Sequence, residues 1–400
     1  MRKQNQKQQF SSETGTSNCE CSTSDVELNQ HQSESSDSLS TKSQQKRLGG
    51  EQGKRKVKKG DQEANEQPRN YLQYFPISLM ALVMGICGLA LVFKKFALLF
   101  DVSKIYSQVI FFLAIGTFVI IAINYLAKCI KFKQAVVTEF NHPVAINFFP
   151  TFSISLLLFS LVLVTDHKTI ATVLMAIGAV GQIPLTMFTL RKWLMLPFKR
   201  EIFNATTMIP IVSLLLVSAP MGKLGYVEGA WLFFVFGMFF YFLIMVALFV
   251  RMLWAETLPK PLLPSLFIIM APPAIGLVSY QGFKNEWTDI SRILFGICIT
   301  NFVVLLSLSH DIFKMQPSAA WLAFTFPMDA LASAVLEWHA YHQSDVSKVI
   351  AYIFSFLALG AVGFVVLLIV SLLIKKRIFI PQNEKSKNWK DFLGKKKQTI

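Results

Sequence analysis

Few residues in this chain have side chains suited to chemistry, and one of them stands out by where it falls. Asp329 is read as the only formal charge inside a series of long apolar runs, and an ionisable group at membrane depth is a functional candidate by default. Its functional role would be a proton site. The structural alternatives are a carboxyl kept protonated, or one hydrogen-bonded to a neighbouring helix. Glu337, His339 and His342 carry ligand-type atoms, but they read as a short external loop. Catalytic zinc normally needs three well-placed ligands, so no metal is expected there. His310 and Asp311 read as a solvated loop end. The cysteines Cys19, Cys21, Cys87, Cys129 and Cys298 are too few and too scattered for a disulfide framework or a zinc site. Cys87 and Cys298, inside apolar runs, read as small packing residues. The chain contains no GxSxG, Walker loop or HExxH, so no enzyme and no cofactor is expected.

The elements that must position these residues follow from composition. Of 400 residues, 53% are hydrophobic and only 16% charged, and Phe alone fills 36 positions. An average soluble domain is roughly a quarter charged. Mean hydropathy is +0.47. The net charge of +15 is uneven, with 9 basic against 2 acidic residues over 375–400. Positive charge beside apolar runs is what cytoplasmic loops carry, so nucleic acid is not an expected partner. The first apolar run begins only near Tyr71, so no cleavable signal peptide is expected. The chain reads as an integral protein of the lipid bilayer with a polar tail at each end.

Residues 1–70 are rich in Gln, Ser, Lys and Glu, which cannot bury enough apolar surface to offset chain entropy. That stretch is expected to be a disordered cytoplasmic tail. It ends in a basic run, Lys54 to Lys59, that reads as an anchor at the membrane surface. Its serines at 33, 35, 36, 38 and 40 offer acceptors for a kinase. Residues 375–400 form a second, basic cytoplasmic tail.

A bilayer core needs about 20 apolar residues per helix. Apolar runs fall near 76–93, 105–127, 144–165, 169–190, 202–219, 229–250, 263–281, 293–309, 315–336 and 349–374. Ten spans put both termini on one side, and the basic tails make that side cytoplasmic, across a plasma or inner membrane. Trp193, Trp231, Trp254, Trp287 and Trp338 fall near span ends, as interfacial anchors do.

Proline marks a repeat. Pro76, Pro150, Pro210, Pro272 with Pro273, and Pro327 fall in successive odd spans, whereas Pro184 is the sole proline of the even ones. The spacing is close to one helical hairpin each time. A proline inside a helix removes a backbone bond and bends it, and a membrane tolerates this where neighbouring helices satisfy the freed groups. The chain is therefore expected to be an all-α polytopic membrane protein of five helical hairpins. Its Pro-kinked odd helices form an inner ring around a central pore, and its smoother even helices an outer ring facing lipid. Pro76, at a helix start, is the exception to the kinks.

Four stretches carry a resemblance. They are Met84-Gly85-Ile86-Cys87-Gly88-Leu89-Ala90, then Glu139-Phe140-Asn141-His142-Pro143-Val144 with Asn147-Phe148-Phe149, then Leu266 to Gly276 around Pro272-Pro273, and Trp321 to Met328 around Phe326-Pro327. In that order, across the 71–374 block, they resemble the tellurite-resistance/dicarboxylate transporter family. That family includes bacterial TehA and the slow-type anion channels of plant guard cells. The fifth span keeps only Ile209-Pro210-Ile211-Val212 of the family's pattern there.

The resemblance implies ten helices around a pore, in a homotrimer whose subunits each conduct. It also implies that a phenylalanine of the ninth helix blocks the pore and moves aside on opening. By its pattern that residue is Phe326, or Phe324 if the register slips. Gly85, Pro150, Pro210, Pro272, Pro273 and Pro327 make up the kink and pore-lining set. The function expected is a gated channel for monovalent anions. A proton-coupled carrier for small organic anions such as C4-dicarboxylates, with Asp329 as proton site, is the alternative. A sensor signalling through its tail is a third class.

Overall fold

A computed structural model describes residues 71–195, 203–254, 260–315 and 318–375. The front tail, with Cys19, Cys21 and the serine cluster, and nearly all of the rear tail lie outside the described residues. Among those described, ten helices are long and apolar enough to cross a membrane. The odd spans are Ile77–Phe100, Ala145–Leu163, Ala205–Leu224, Leu262–Lys284 and Ala319–His342. The even spans are Ile105–Lys131, Lys168–Met195, Val227–Leu253, Asp289–Phe313 and Asp345–Ile374.

The two sets differ as the proline pattern predicts. Between 78% and 89% of each odd span's most apolar window is buried, against 17% to 33% in the even spans. Each hairpin packs odd on even. Among themselves the odd spans close a ring, first against third, third against fifth, fifth against seventh, seventh against ninth, and ninth back against first. The even spans, with Phe112, Val180, Phe239, Val303 and Leu367 exposed, present the outer apolar surface. The odd helices therefore form the inner ring and the even helices the outer one.

Every odd span enters through a 3₁₀ stretch before becoming α-helical, short in four of them and eleven residues long, Lys260–Met270, in the seventh, whereas each even span is one unbroken α-helix. A 3₁₀ entry leaves backbone carbonyls poorly paired, and no water is at hand inside a bilayer. Polar side chains of the even helices supply donors to carbonyls in or beside these entries. Lys128 Nζ donates to the Phe75 carbonyl at 2.7 Å. Gln182 Nε2 and Thr186 Oγ1 donate to the Pro210 carbonyl at 3.0 and 2.6 Å. Asn301 Nδ2 donates to the Ile269 carbonyl at 3.3 Å. Four odd spans end on a left-handed residue, Asp101, Gly225, Asn285 or Gln343, which turns the chain into the next even helix.

The Lys128–Glu139 pair is internal. Lys128 Nζ meets Glu139 Oε2 at 2.6 Å, both side chains being under 5% exposed. Glu139 Oε1 accepts the Ile77 amide at 2.9 Å, and Tyr125 OH donates to Oε2 at 3.2 Å. With both carboxylate oxygens so occupied, the pair clamps the entry of the first span onto the end of the second span and the connecting helix Lys133–Asn141.

The structure corrects the span ends. The first helix runs past residue 93 through Lys94 and Lys95, the fifth past 219 through Lys223, and the ninth past 336 through Glu337, His339 and His342. Asp329 is thus not the only formal charge of the spans, and lysines do lie within them. Glu337, His339 and His342 sit on a helix, not on an external loop. His310 and Asp311 also belong to a helix, at its exposed end. The apolar runs end early because a helix continues through charged residues whose side chains are paired or reach toward the interface.

Candidate functional site

Three adjoining cavities lie inside the inner ring, and each is lined by residues of all five odd spans and none of the even ones. Along the first span their walls run from Ala81 and Met84, through Gly88 and Leu91, to Lys94, Lys95 and Leu98. Along the ninth they run from Ala323 and Phe326, through Asp329 and Ser333, to Glu337. The chambers are therefore stacked along the ring axis. The middle one is the smallest, with about 320 Å³ of empty space against about 540 and 550 Å³.

The first chamber is apolar, walled by Met84, Phe148, Met208, Ile268, Pro272 and Phe326 among others. Phe326, Leu216 and Ile275 line both the first and second chambers, so they form the wall between them. Between Trp321 and Glu337 every residue is buried except Phe326, whose ring faces the cavities. Phe324 points elsewhere. Its ring meets Phe267 edge-on at 4.5 Å and packs near Trp321 and Phe313 at 6.1 Å.

Asp329 lines the second chamber and is 1% exposed. Neither carboxylate oxygen has a hydrogen-bond partner among the described residues. The alternative of a bond to a neighbouring helix is therefore not realised. Gly88 is the reason it fits: a Cβ there would lie 2.8 Å from Asp329 Oδ2. Gly85 does likewise a turn earlier, where a Cβ would collide with the Thr325 hydroxyl.

Of the kink set, Pro272 and Pro327 line the first chamber, while Gly85, Pro150, Pro210 and Pro273 do not. Pro150 caps the helix Thr151–Leu163, and Pro273 is buried in the first turn of Ala271–Lys284. Pro210 lies in the short helical turn Met208–Val212.

The third chamber is a vestibule of opposed charge. Lys94 Nζ donates to the Val162 carbonyl and to Asp166 Oδ2, the latter at 2.6 Å. That bond holds the Asp166 carboxyl below the usual carboxylate range. Lys95 pairs with Glu337. Lys223 has no carboxylate partner among the described residues. Three ammonium groups thus face two carboxylates, and the balance favours an anion. His339 is engaged by Ser347 at 2.8 Å and stacks on Phe100 at 5.2 Å. The vestibule lysines were missed in the sequence because they lie just past the apolar runs. Helical spacing was the usable signal, since Leu91, Lys94, Lys95 and Leu98 continue the face begun by Met84 and Gly88.

A conduit of this construction suits permeation of a small ion between two aqueous sides. A family model described as voltage-dependent anion channel matches residues 74–370. The chain belongs to the voltage-dependent anion channel family. The match takes in nine spans whole and most of the tenth. It is a family of anion channels rather than an enzyme class.

The chain is 26% identical over 314 residues to S-type anion channel SLAH2 of Arabidopsis thaliana, covering 76% of this chain and 59% of that protein. It is 22% identical over 308 residues to the guard cell S-type anion channel SLAC1 of the same plant, covering 74% and 55%. Against the tellurite resistance protein TehA homolog of Haemophilus influenzae it is 24% identical over 308 residues, covering 76% and 93%. The chain thus spans somewhat over half the length of these plant relatives and nearly all of the bacterial one. The family and the fold expected from the four motifs are borne out.

Proposed function

We propose that this protein is a gated anion channel, passing monovalent anions down their gradient through the axial chambers, with Phe326 as the gate. One observation carries the reading: Phe326 walls off an apolar chamber from the passage that leads to a basic vestibule, and all five odd helices enclose that passage throughout. A phenyl ring at a constriction excludes water, so an anion cannot keep its hydration and cannot cross until the ring turns aside. The positive edge of the ring is less hostile to an anion than an aliphatic plug. Lys223, Lys94 and Lys95 raise the local anion concentration at one mouth. Weakly hydrated monovalent anions lose least in passing the apolar chamber. Tellurite resistance, named for one relative, would follow from anion permeation.

The channel operates as a homotrimer with one conduit per subunit, in a plasma or inner membrane, with both termini cytoplasmic. The front tail is the natural substrate of a regulatory kinase.

The test is anion flux from proteoliposomes containing the full chain. Phe326→Ala should raise flux at least about tenfold over the wild-type protein, as removal of a dewetting constriction would. Unchanged flux in well-assembled protein would remove Phe326 as the gate.

A second reading, a proton-coupled carrier of small organic anions, is favoured by the unpartnered carboxyl of Asp329. A carrier saturates and moves protons in fixed ratio with its substrate, and a channel does neither.

A further inference from the structure

Asp329 is unusual among the buried polar groups of this protein. Other charges inside the bundle are matched, such as Lys128 to Glu139 and Lys95 to Glu337. Buried amides such as Gln182 and Asn301 donate to backbone carbonyls. Among the described residues, Asp329 alone places a carboxyl in a conduit wall with both oxygens unbonded. An unmet hydrogen-bonding group in an apolar site is costly, and it is kept where a ligand completes it.

The surroundings define that ligand. The first span contributes Gly88 and Leu91 to the chamber, and the third Leu158 and Leu161. The fifth contributes Leu216, and the seventh Ile275 and Val278. The ninth adds Phe326, Ala330 and Ser333. The titratable groups nearest on packed elements are the buried thiol of Cys87 on the first span and, in the adjoining vestibule, Lys94, Lys95, Lys223 and Glu337. No cationic side chain lines the chamber itself. An ionised Asp329 would be a bare negative charge in the path, about 4.5 Å along the helix from Phe326 at 1.5 Å per residue. Its neutral form carries an O–H donor in the same place.

We propose that Asp329 is a proton-dependent anion-binding site immediately beyond the Phe326 constriction: protonated, its O–H donates to the anion in transit, and ionised, it repels that anion and closes the path. The proton comes from the aqueous vestibule, where Ser333, lining both the second and third chambers, continues the polar face toward Glu337. The proton is not consumed or carried. It stays on the carboxyl while anions pass. This inference rests on the channel reading above and adds acid activation to it.

The experiment is anion efflux from proteoliposomes of the full chain, with nitrate or iodide, at matched pH on both sides from about 5 to 8. Wild-type flux should rise as pH falls, by up to about tenfold per unit, the limit for one proton. Asp329→Asn keeps the side-chain shape and supplies N–H donors at every pH. It should conduct at the acid-level rate throughout, with no pH response. Asp329→Ser, smaller and still a donor, should be equally flat and serves if the amide variant does not assemble.

A wild-type flux that ignores pH, or an Asp329→Asn protein that keeps the wild-type profile, would overturn the inference while leaving the channel intact. An acid response abolished by Glu337→Gln but not by Asp329→Asn would also overturn it. Proton uptake in fixed ratio to anion would replace it with the carrier reading. Absence of flux from both wild type and Phe326→Ala at every pH would sink the channel reading itself.

Discussion

Gly88 of the first span faces Asp329 of the ninth so closely that a methyl group at position 88 would come within 2.8 Å of Oδ2 and 3.0 Å of the aspartate Cβ. The missing side chain of one residue is what allows the carboxyl of the other into the conduit. Because the obstacle would meet the short, stiff Asp329 side chain near its root, the helices would have to separate.

Gly88→Ala should therefore destabilise the fold by about 1–3 kcal/mol, the usual cost of overpacking. Gly85→Ala should do the same through Thr325, with whose hydroxyl a Cβ would collide. Thermal unfolding in detergent checks both. Gly116, with open space where its Cβ would be, supplies the control: Gly116→Ala should leave stability unchanged or raise it.

The two phenylalanines of the ninth helix should separate cleanly. Phe326→Ala should raise resting anion flux, since its ring faces the chambers. Phe324→Ala should cost about 3–5 kcal/mol of stability, because that ring is buried among Phe267, Phe313 and Trp321. Flux measured beside melting temperature distinguishes the outcomes.

The Lys128–Glu139 clamp predicts an asymmetric double-mutant cycle. Lys128→Met alone leaves the Glu139 carboxylate buried without its cation, and should cost about 3–5 kcal/mol. Adding Glu139→Gln should recover some of that loss. Denaturation of the single and double variants in detergent gives the coupling.

The vestibule should respond to charge in a salt-dependent way. Lys223→Gln should lower anion conductance about twofold or more at low ionic strength, by weakening the field at that mouth. Asp166→Asn, which releases Lys94 from its partner, should raise it. Both effects should shrink near about 1 M salt, where the screening length falls to about 3 Å. The Asp166 carboxyl is held below its ordinary range by Lys94, so the pair's contribution is complete above about pH 4 and fades only as pH falls through the depressed value. Asp166 thus stays ionised from about pH 5 to 8, and an acid response in that window must originate elsewhere.

Local composition and period suffice for the membrane class, the ten spans and the inner and outer rings, since apolar length marks a span and the proline-bearing runs are the inner ones, although several of those prolines stand at helix starts rather than at bends. The family, too, was legible, because short motifs in fixed order need no coordinates. The contacts that make the site depend instead on residues far apart in the chain. Lys128 and Gln182 looked like isolated polar residues until they met the open carbonyls of Phe75 and Pro210. Lys94, Lys95 and Glu337 fell outside the apolar runs, yet helices extended by pairing carry them into one vestibule. The exposure of the Phe326 ring, and the freedom of Asp329 from any partner among the described residues, result from how five helices close around an axis. No stretch of sequence encodes that closure by itself, because the lining of each chamber is drawn from all five odd spans at once.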